Sequence, residues 1–177
     1  MILHSKSILT LVIAILTTCV FAQTKKSNQF NDAEIAAIAV AANQIDIAYA
    51  ELAVEKSKNK AIVGFAKTMI NDHKAVIGQA VDLVTKLGVK PQENTLSKQL
   101  VNDSKDMLEN LKSKRTGAFD KAYIENEVAY HKAVIDAVRN VLIPDTENDE
   151  LKSLLEAVLP ALEAHLEHAE SVRENFD

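Results

Sequence analysis

The chain is poor in glycine, proline and cysteine and lacks tryptophan. Its 177 residues include four Gly, three Pro, one Cys and no Trp. So few Gly and Pro residues, with 47% hydrophobic residues, favour a single all-helical domain over a strand-rich one. The one cysteine, Cys19, lies in an N-terminal leader, so removal of that leader would leave no residue for a disulfide or for thiol chemistry.

Positive charge is also scarce. The chain has 20 Lys and Arg against 25 Asp and Glu, and loss of Lys6 with the leader takes the net charge from −5 to −6. Because no basic stripe with interleaved aromatic residues appears, we expect no nucleic-acid partner. No strand-turn-helix nucleophile motif accompanies the Ser, His and Asp residues, so the sequence does not support a hydrolase.

The first 22 residues have the pattern of a secretory signal peptide. Lys6 is followed by an apolar run over residues 8–16 and then by Val20-Phe21-Ala22, with small residues at the third and first positions before Gln23. The run is too short to span a membrane comfortably. We therefore expect cleavage after Ala22, an extracytoplasmic location in the periplasm or cell envelope, and no transmembrane segment in the mature chain.

Two alternatives for the leader stay open. One is an uncleaved membrane anchor. The other is lipidation of Cys19, for which Thr18 is a poor preceding residue.

Four later stretches have the apolar periodicity of long amphipathic helices, at 31–57, 60–87, 119–143 and 149–176. A polar connection over 89–116 has apolar spacing that predicts an additional short helix. A connection of that length can return along a bundle and leave the helices on either side of it parallel. The sequence thus predicts an all-α, ferritin-like four-helix bundle with a long crossover over residues 31–177, preceded by a flexible segment at 23–30.

Pro160 lies inside the last predicted helix. Proline cannot donate a backbone hydrogen bond to the carbonyl of Glu156, so we predict a kink one turn before His165.

Each predicted helix carries an ionisable residue on its inward face, near its middle. These residues are Asp46, His73, Glu127, His131 and His165. By contrast, Glu51 falls on the outer face of the first helix. At about 1.5 Å per residue the five groups lie within roughly 5 Å of one level, so they should converge in an up-and-down bundle. Ionisable groups at such a place are costly unless they bind a ligand or satisfy one another.

Three imidazoles with one or two carboxylates favour a mononuclear site for one divalent transition metal ion: Zn, Cu, Ni or Fe. A di-iron site would require Glu three residues before His, but Ile70 precedes His73 and Leu162 precedes His165. We therefore expect no ferroxidase activity. Two alternatives remain: a metal-free hydrogen-bonded network that sets helix register, and an organic ligand or proton-coupled switch.

Several motifs, in this order, resemble the family called domain of unknown function 4142. They are 42–53, Phe65 to His73, Gly117 to Tyr123 with His131-Lys132, and Leu159-Pro160-Ala161-Leu162 before His165. The resemblance covers nearly all of the mature chain. It implies an exported bacterial protein with a ferritin-like helical bundle, of a kind often described as an outer membrane protein, and implies no established activity.

The same resemblance carries the motif histidines over to His73, His131 and His165. The family usually has Glu where this chain has Asp46, which shortens that carboxylate by one methylene. We expect a binding or stress-associated envelope protein with a central metal site. The alternatives are a structural or interaction module with a metal-free buried polar network, and a metal-dependent redox enzyme; enzymatic activity is the less favoured reading, and the sequence identifies no protein partner.

Overall fold

The computed structural model describes residues 29–176, which are helical and contain no strand. The helices are α1 Asp32–Lys56, α2 Lys60–Leu87, α3 Thr95–Ser113, α4 Thr116–Ala137, α5 Ile143–Asp145 and α6 Asp149–Arg173. A π-helical turn, Val138–Leu142, joins α4 to α5, and a 3-10 turn, Glu174–Phe176, follows α6. The predicted signal peptide 1–22, with Cys19, and residues 23–28 of the predicted flexible segment lie outside the described residues.

Side-chain caps mark the start of α1, α2, α3 and α6. The Asn31 side chain accepts a hydrogen bond from the Glu34 amide, and the Glu34 carboxylate accepts one from the Asn31 amide. This reciprocal capping box satisfies two backbone donors that a helix start leaves free. Gly88 ends α2 with φ 66°, a left-handed conformation that glycine adopts without strain. Other asparagines cap α2, α3 and α6: Asn59, Asn94 and Asn148.

The helix ends establish the topology. Lys56, at the end of α1, donates to the carbonyl of Lys114 just after α3, so α3 runs parallel to α1. Asp32, at the start of α1, accepts from the Asn148 amide just before α6, so α6 also runs in that direction. The intervening α2 and α4 run the opposite way and are parallel to each other. The predicted all-α bundle with a long crossover is confirmed.

The crossover differs from its prediction in length. Its helix α3 has 19 residues, rather than being short. It packs against α1 and also contacts α4, while α1 and α6 each pack against α2 and α4. The crossover is therefore a fifth packed helix, because its apolar residues, such as the buried Leu111, join the core.

The two residues before Asn31 contact a residue far along the chain. The backbone amides of Gln29 and Phe30 donate to Oδ2 of Asp145 at 2.8 and 3.1 Å, and the Phe30 ring is buried. The buried Asp145 carboxylate thus ties the start of the bundle to the turn between α5 and α6.

The core consists of two apolar clusters, one toward each end of the bundle. The first includes Tyr49, Phe65, Phe119 and Tyr123. The second includes Ile35, Ile38, Leu142, Leu151 and Leu155. The inward ionisable residues lie at the level between them, so apolar packing on both sides holds their helices in place.

Two helices have unusual compositions. Over its most apolar stretch α1 has mean hydropathy 1.3, enough by length and composition to span a membrane, but 61% of that stretch is buried inside the bundle. A helix in the core of a bundle meets the same criterion, so this composition does not by itself place α1 in a membrane.

Pro160 lies inside α6, whose helical residues continue on both sides of it. The kink expected there stays a prediction.

Candidate metal centre

The structure brings the five predicted site residues together at the centre of the bundle. α1 supplies Asp46, α2 supplies His73, α4 supplies Glu127 and His131, and α6 supplies His165. None is more than 7% exposed, and Glu127 is completely buried. Glu51 instead lies on the surface and pairs with Lys74, as its helical phase predicts.

The three imidazoles face one another. One ring nitrogen from each of His73, His131 and His165 lies within 4.8 Å of the other two. Oδ2 of Asp46 lies 3.4 Å from Nε2 of His73 and 3.5 Å from Nε2 of His131. A tetrahedral ion bound at about 2.0–2.1 Å would separate its ligand atoms by about 3.4 Å. The two distances match the spacing of neighbouring ligands on a single ion.

The orientation of the His73 ring is set by Asn43, one turn before Asp46 on α1. The amide nitrogen of Asn43 donates to the Ala39 carbonyl at 2.8 Å, which turns Oδ1 toward α2. Oδ1 then accepts from Nδ1 of His73 at 2.7 Å. With its proton on Nδ1, the ring presents the lone pair of Nε2 toward Asp46.

The other two rings are oriented in the same way. Nδ1 of His131 donates to the Glu127 carbonyl at 2.9 Å, and Nε2 of His165 donates to Oδ2 of Asp72 at 3.0 Å. The remaining nitrogens are Nε2 of His73, Nε2 of His131 and Nδ1 of His165. All three are buried and have no hydrogen-bond partner among residues 29–176. Each is a lone-pair donor of the kind that metal-binding histidines use.

Burial keeps the imidazoles of His73 and His131 neutral. It lowers the pKa of His73 to about 3, with the neighbouring His165 and His131 adding to the effect. It also lowers the pKa of His131 to about 4. Since only the neutral ring can bind a metal ion, both histidines remain available to an ion well below neutral pH.

Burial has the opposite effect on the two carboxyl groups. It raises the pKa of Asp46 to about 7. For Glu127, burial and then the nearby Asp46 hold the pKa well above its usual range. Oε2 of Glu127 lies 3.7 Å from Nδ1 of His131, within ion-pair distance, but a neutral imidazole beside a protonated carboxyl is not an ion pair. Below neutral pH the carboxyl groups of Asp46 and Glu127 are therefore protonated beside the neutral rings of His73 and His131.

Tyrosines pack around this site. The Tyr130 hydroxyl donates to the Ala42 carbonyl at 2.8 Å, and the Tyr49 ring meets the Tyr130 ring edge-on at 5.7 Å. Burial, followed by the charges of Glu127 and Asp46, raises the pKa of Tyr49 to about 12. These phenols are neutral side chains that pack around the site.

The sequence analysis missed both side chains that orient His73 and His165. Asn43 lies three residues before Asp46 and so shares its face of α1, a phase that could have identified it. Asp72 lies at the edge of the α2 stripe, with its side chain half exposed, and only the packing of α6 against α2 brings it to His165.

Comparison with known proteins gives both a structural neighbour and a family. The structure described as CopM in the Cu(II)-bound form is similar with a TM-score of 0.63 and 17% sequence identity, over 84% of this chain and 99% of that one. At that identity the likeness shows the fold. No curated protein matches the chain. The family model described as domain of unknown function (DUF4142) matches residues 18–172, so the chain belongs to that family.

Proposed function

We propose that this protein is an exported metal-binding protein of the bacterial envelope. One divalent transition metal ion is held by His73, His131, His165 and Asp46. The observation that carries the proposal is the set of three oriented imidazole nitrogens, buried and with no partner among the described side chains. Two of them, on His73 and His131, lie 3.4 and 3.5 Å from Asp46, the spacing of ligands on one ion.

The alternative, a metal-free hydrogen-bonded network, accounts less well for these distances. The Asp46 contacts to His73 and His131, at 3.4 and 3.5 Å, exceed the usual N–H···O range. Each buried polar group without a partner costs about 1–3 kcal/mol. One cation would satisfy all of these lone pairs at once and would link four helices.

The ligand types favour some ions over others. Imidazole with one carboxylate suits Cu(II), Zn, Ni and Fe(II), whereas Cu(I) prefers sulfur ligands. Cu(II) is the first ion to test, because the CopM structure of the same fold is described as Cu(II)-bound. The leader pattern over residues 1–22 supports export to the envelope.

Glu127 has a different place in this proposal. Its carboxyl lies toward the Nδ1 edge of His131, whereas the lone pair that faces Asp46 is on Nε2. A carboxyl oxygen of Glu127 also lies within 4.8 Å of ligand atoms of Asp46 and His131. We therefore assign Glu127 as an additional carboxylate beside the ion rather than as one of its four ligands. The bound ion stabilises the bundle and needs no reaction; the proposal is binding, not catalysis.

Titration of chelator-stripped protein with Cu(II), Zn, Ni and Fe(II) tests the proposal. We expect saturable binding of one ion per chain, with a rise in melting temperature because the ion binds only the folded bundle. His73→Ala and His165→Ala should each abolish it. His168→Ala is the matched control, since His168 lies on the same helix as His165 but is exposed. No saturable binding of any ion, with unchanged melting temperature, would reject the proposal.

A further inference from the structure

A cavity of about 400 Å³ lies in the half of the bundle that contains the start of α1. α1, α2, α4 with its π turn, and α6 all line it, and its polar end is formed by Asp46 and the three site histidines. We propose that this cavity binds a small molecule with an apolar body and one hydrogen-bond-donating head, of the long-chain alcohol or amine class. The cavity falls within the usual range for ligand pockets, about 300–1,000 Å³.

Along the wall formed by α2, the helices do not pack closely enough to fill the space between them. The buried residues of α2 run only from Ile62 to His73. Beyond His73, the apolar residues Val76, Ala80 and Val84 continue the same stripe and line the cavity, but they remain partly exposed. Apolar side chains facing a space between helices gain free energy when an apolar molecule fills that space.

The opposite wall is formed by the π-helical turn. Val138, Val141 and Leu142 of this turn line the cavity. π-helical turns are rare and are found frequently at functional sites. Here the turn lies where α4 leaves the metal-site level and passes along the cavity, so the irregular backbone and the cavity occupy the same part of the molecule.

The polar end of the cavity determines which head group the ligand can have. The free nitrogens of His73, His131 and His165 and the carboxyl oxygens of Asp46 have no partner within the described part of the chain. The three nitrogens carry lone pairs, because the other nitrogen of each ring donates to Asn43, Glu127 or Asp72. A hydroxyl or amino head that donates a hydrogen bond complements these acceptors, whereas a carboxylate head does not. The same lone pairs would hold the ion proposed above, so the ion and the ligand head compete for them. The inference therefore concerns the metal-free protein and requires no bound ion.

Binding of 1-hexanol, 1-octanol and 1-decanol to metal-free protein tests the inference by calorimetry. Each added methylene that enters the cavity should tighten Kd by about fourfold, the equivalent of about 0.8 kcal/mol per buried methylene. Octanoate, whose head has no proton to donate at neutral pH, should bind more weakly than 1-octanol. Equal affinity along the alcohol series would overturn the inference.

Variants that fill the cavity locate the binding site. Ala80 and Ala137 line the cavity, so Ala80→Leu and Ala137→Leu should each weaken 1-octanol binding at least tenfold while the protein stays folded by melting temperature. Ala75→Leu and Ala129→Leu are the matched controls, on the same two helices but exposed and outside the cavity. Wild-type affinity in both filled variants would place the alcohol elsewhere and overturn the inference, whatever the result of the metal titrations.

Discussion

His73 donates a hydrogen bond from Nδ1 to Oδ1 of Asn43 at 2.7 Å, across the interface between α1 and α2. This contact turns the other ring nitrogen toward Asp46 and His131. The orientation of this imidazole thus depends on α1 and α2 alone, whereas the other two imidazoles belong to α4 and α6.

Asn43→Ala should weaken metal binding by about 10–100-fold, because outer partners of metal-binding histidines typically contribute that much. Asn43→Asp keeps an oxygen acceptor and should lose less. The comparison is made by competition titration against a chelator of known affinity. Gln44→Ala, the next residue and exposed, is the control. Equal affinities for Asn43→Ala and wild type would show that the hydrogen bond does not orient a ligand.

Metal binding should release a proton from Asp46 near neutral pH. Burial raises the pKa of Asp46 to about 7 but lowers those of His73 and His131 to about 3 and 4, so these two rings have no proton to lose there. At pH 6.5 wild-type protein should release about one proton more per ion than Asp46→Asn. Calorimetry in buffers of different ionisation enthalpy measures this difference. Equal release by both proteins would mean that Asp46 is not a ligand.

In the metal-free protein, Asp46 should make the free energy of unfolding fall as pH rises. Its pKa in the folded protein, about 7, is above the ordinary value of 3.8, so the folded state binds more protons. Its contribution is complete below about pH 4 and is lost as pH rises through about 7. Relative to wild type, Asp46→Asn should therefore gain stability between pH 4 and pH 8, by at most about 4 kcal/mol.

Urea unfolding at pH 4, 6 and 8 in the presence of a chelator measures this change. Glu51→Gln, on the outer face of the same helix, should follow wild type at all three values. A difference between Asp46→Asn and wild type that is the same at every pH would contradict the assignment of a raised pKa.

Asp145→Ala should destabilise the bundle by about 2–3 kcal/mol. The buried carboxylate accepts hydrogen bonds from the amides of Gln29 and Phe30, and its removal leaves both donors without that partner. Denaturant unfolding measures the loss. Glu156→Ala, an exposed change on α6, should have little effect. If the two variants are equally stable, the hydrogen bonds from the Gln29 and Phe30 amides to Asp145 contribute nothing to the free energy of unfolding.

The exported protein should begin at Gln23. The apolar run over 8–16 and Val20-Phe21-Ala22 predict cleavage after Ala22, and intact mass of protein from its native compartment determines the product. Retention of residues 1–22, or a diacylglycerol group on Cys19, would contradict the prediction.

The helix boundaries show how accurately sequence periodicity predicts where helices begin and end. The predicted second helix, 60–87, matches α2 at both ends, because Gly88 stops it and Asn59 caps it. α4 was expected to begin at Phe119, after Gly117, but it begins at Thr116. Glycine breaks a helix interior more than a first turn, where the backbone amides have no partners within the helix to lose. The apolar periodicity over 119–143 does not predict the π turn at the end of α4.

Composition and periodicity are enough to predict the fold class and the inward position of five ionisable residues. Helical phase depends on spacing along one chain segment, so Asp46, His73, Glu127, His131 and His165 could each be placed on a buried face without a structure. Their common level followed from helix lengths and a constant rise per residue.

The interactions among these residues, by contrast, depend on how the helices pack. Which nitrogen of His165 is free depends on Asp72, which lies on a different helix 93 positions away in the chain. The lowered pKa of His73 and the raised pKa of Asp46 depend on burial by helices distant in sequence. The cavity beside them exists because the second half of α2 does not pack closely against its neighbours. Each of these properties arises from contacts between helices, and periodicity within one helix contains no information about them.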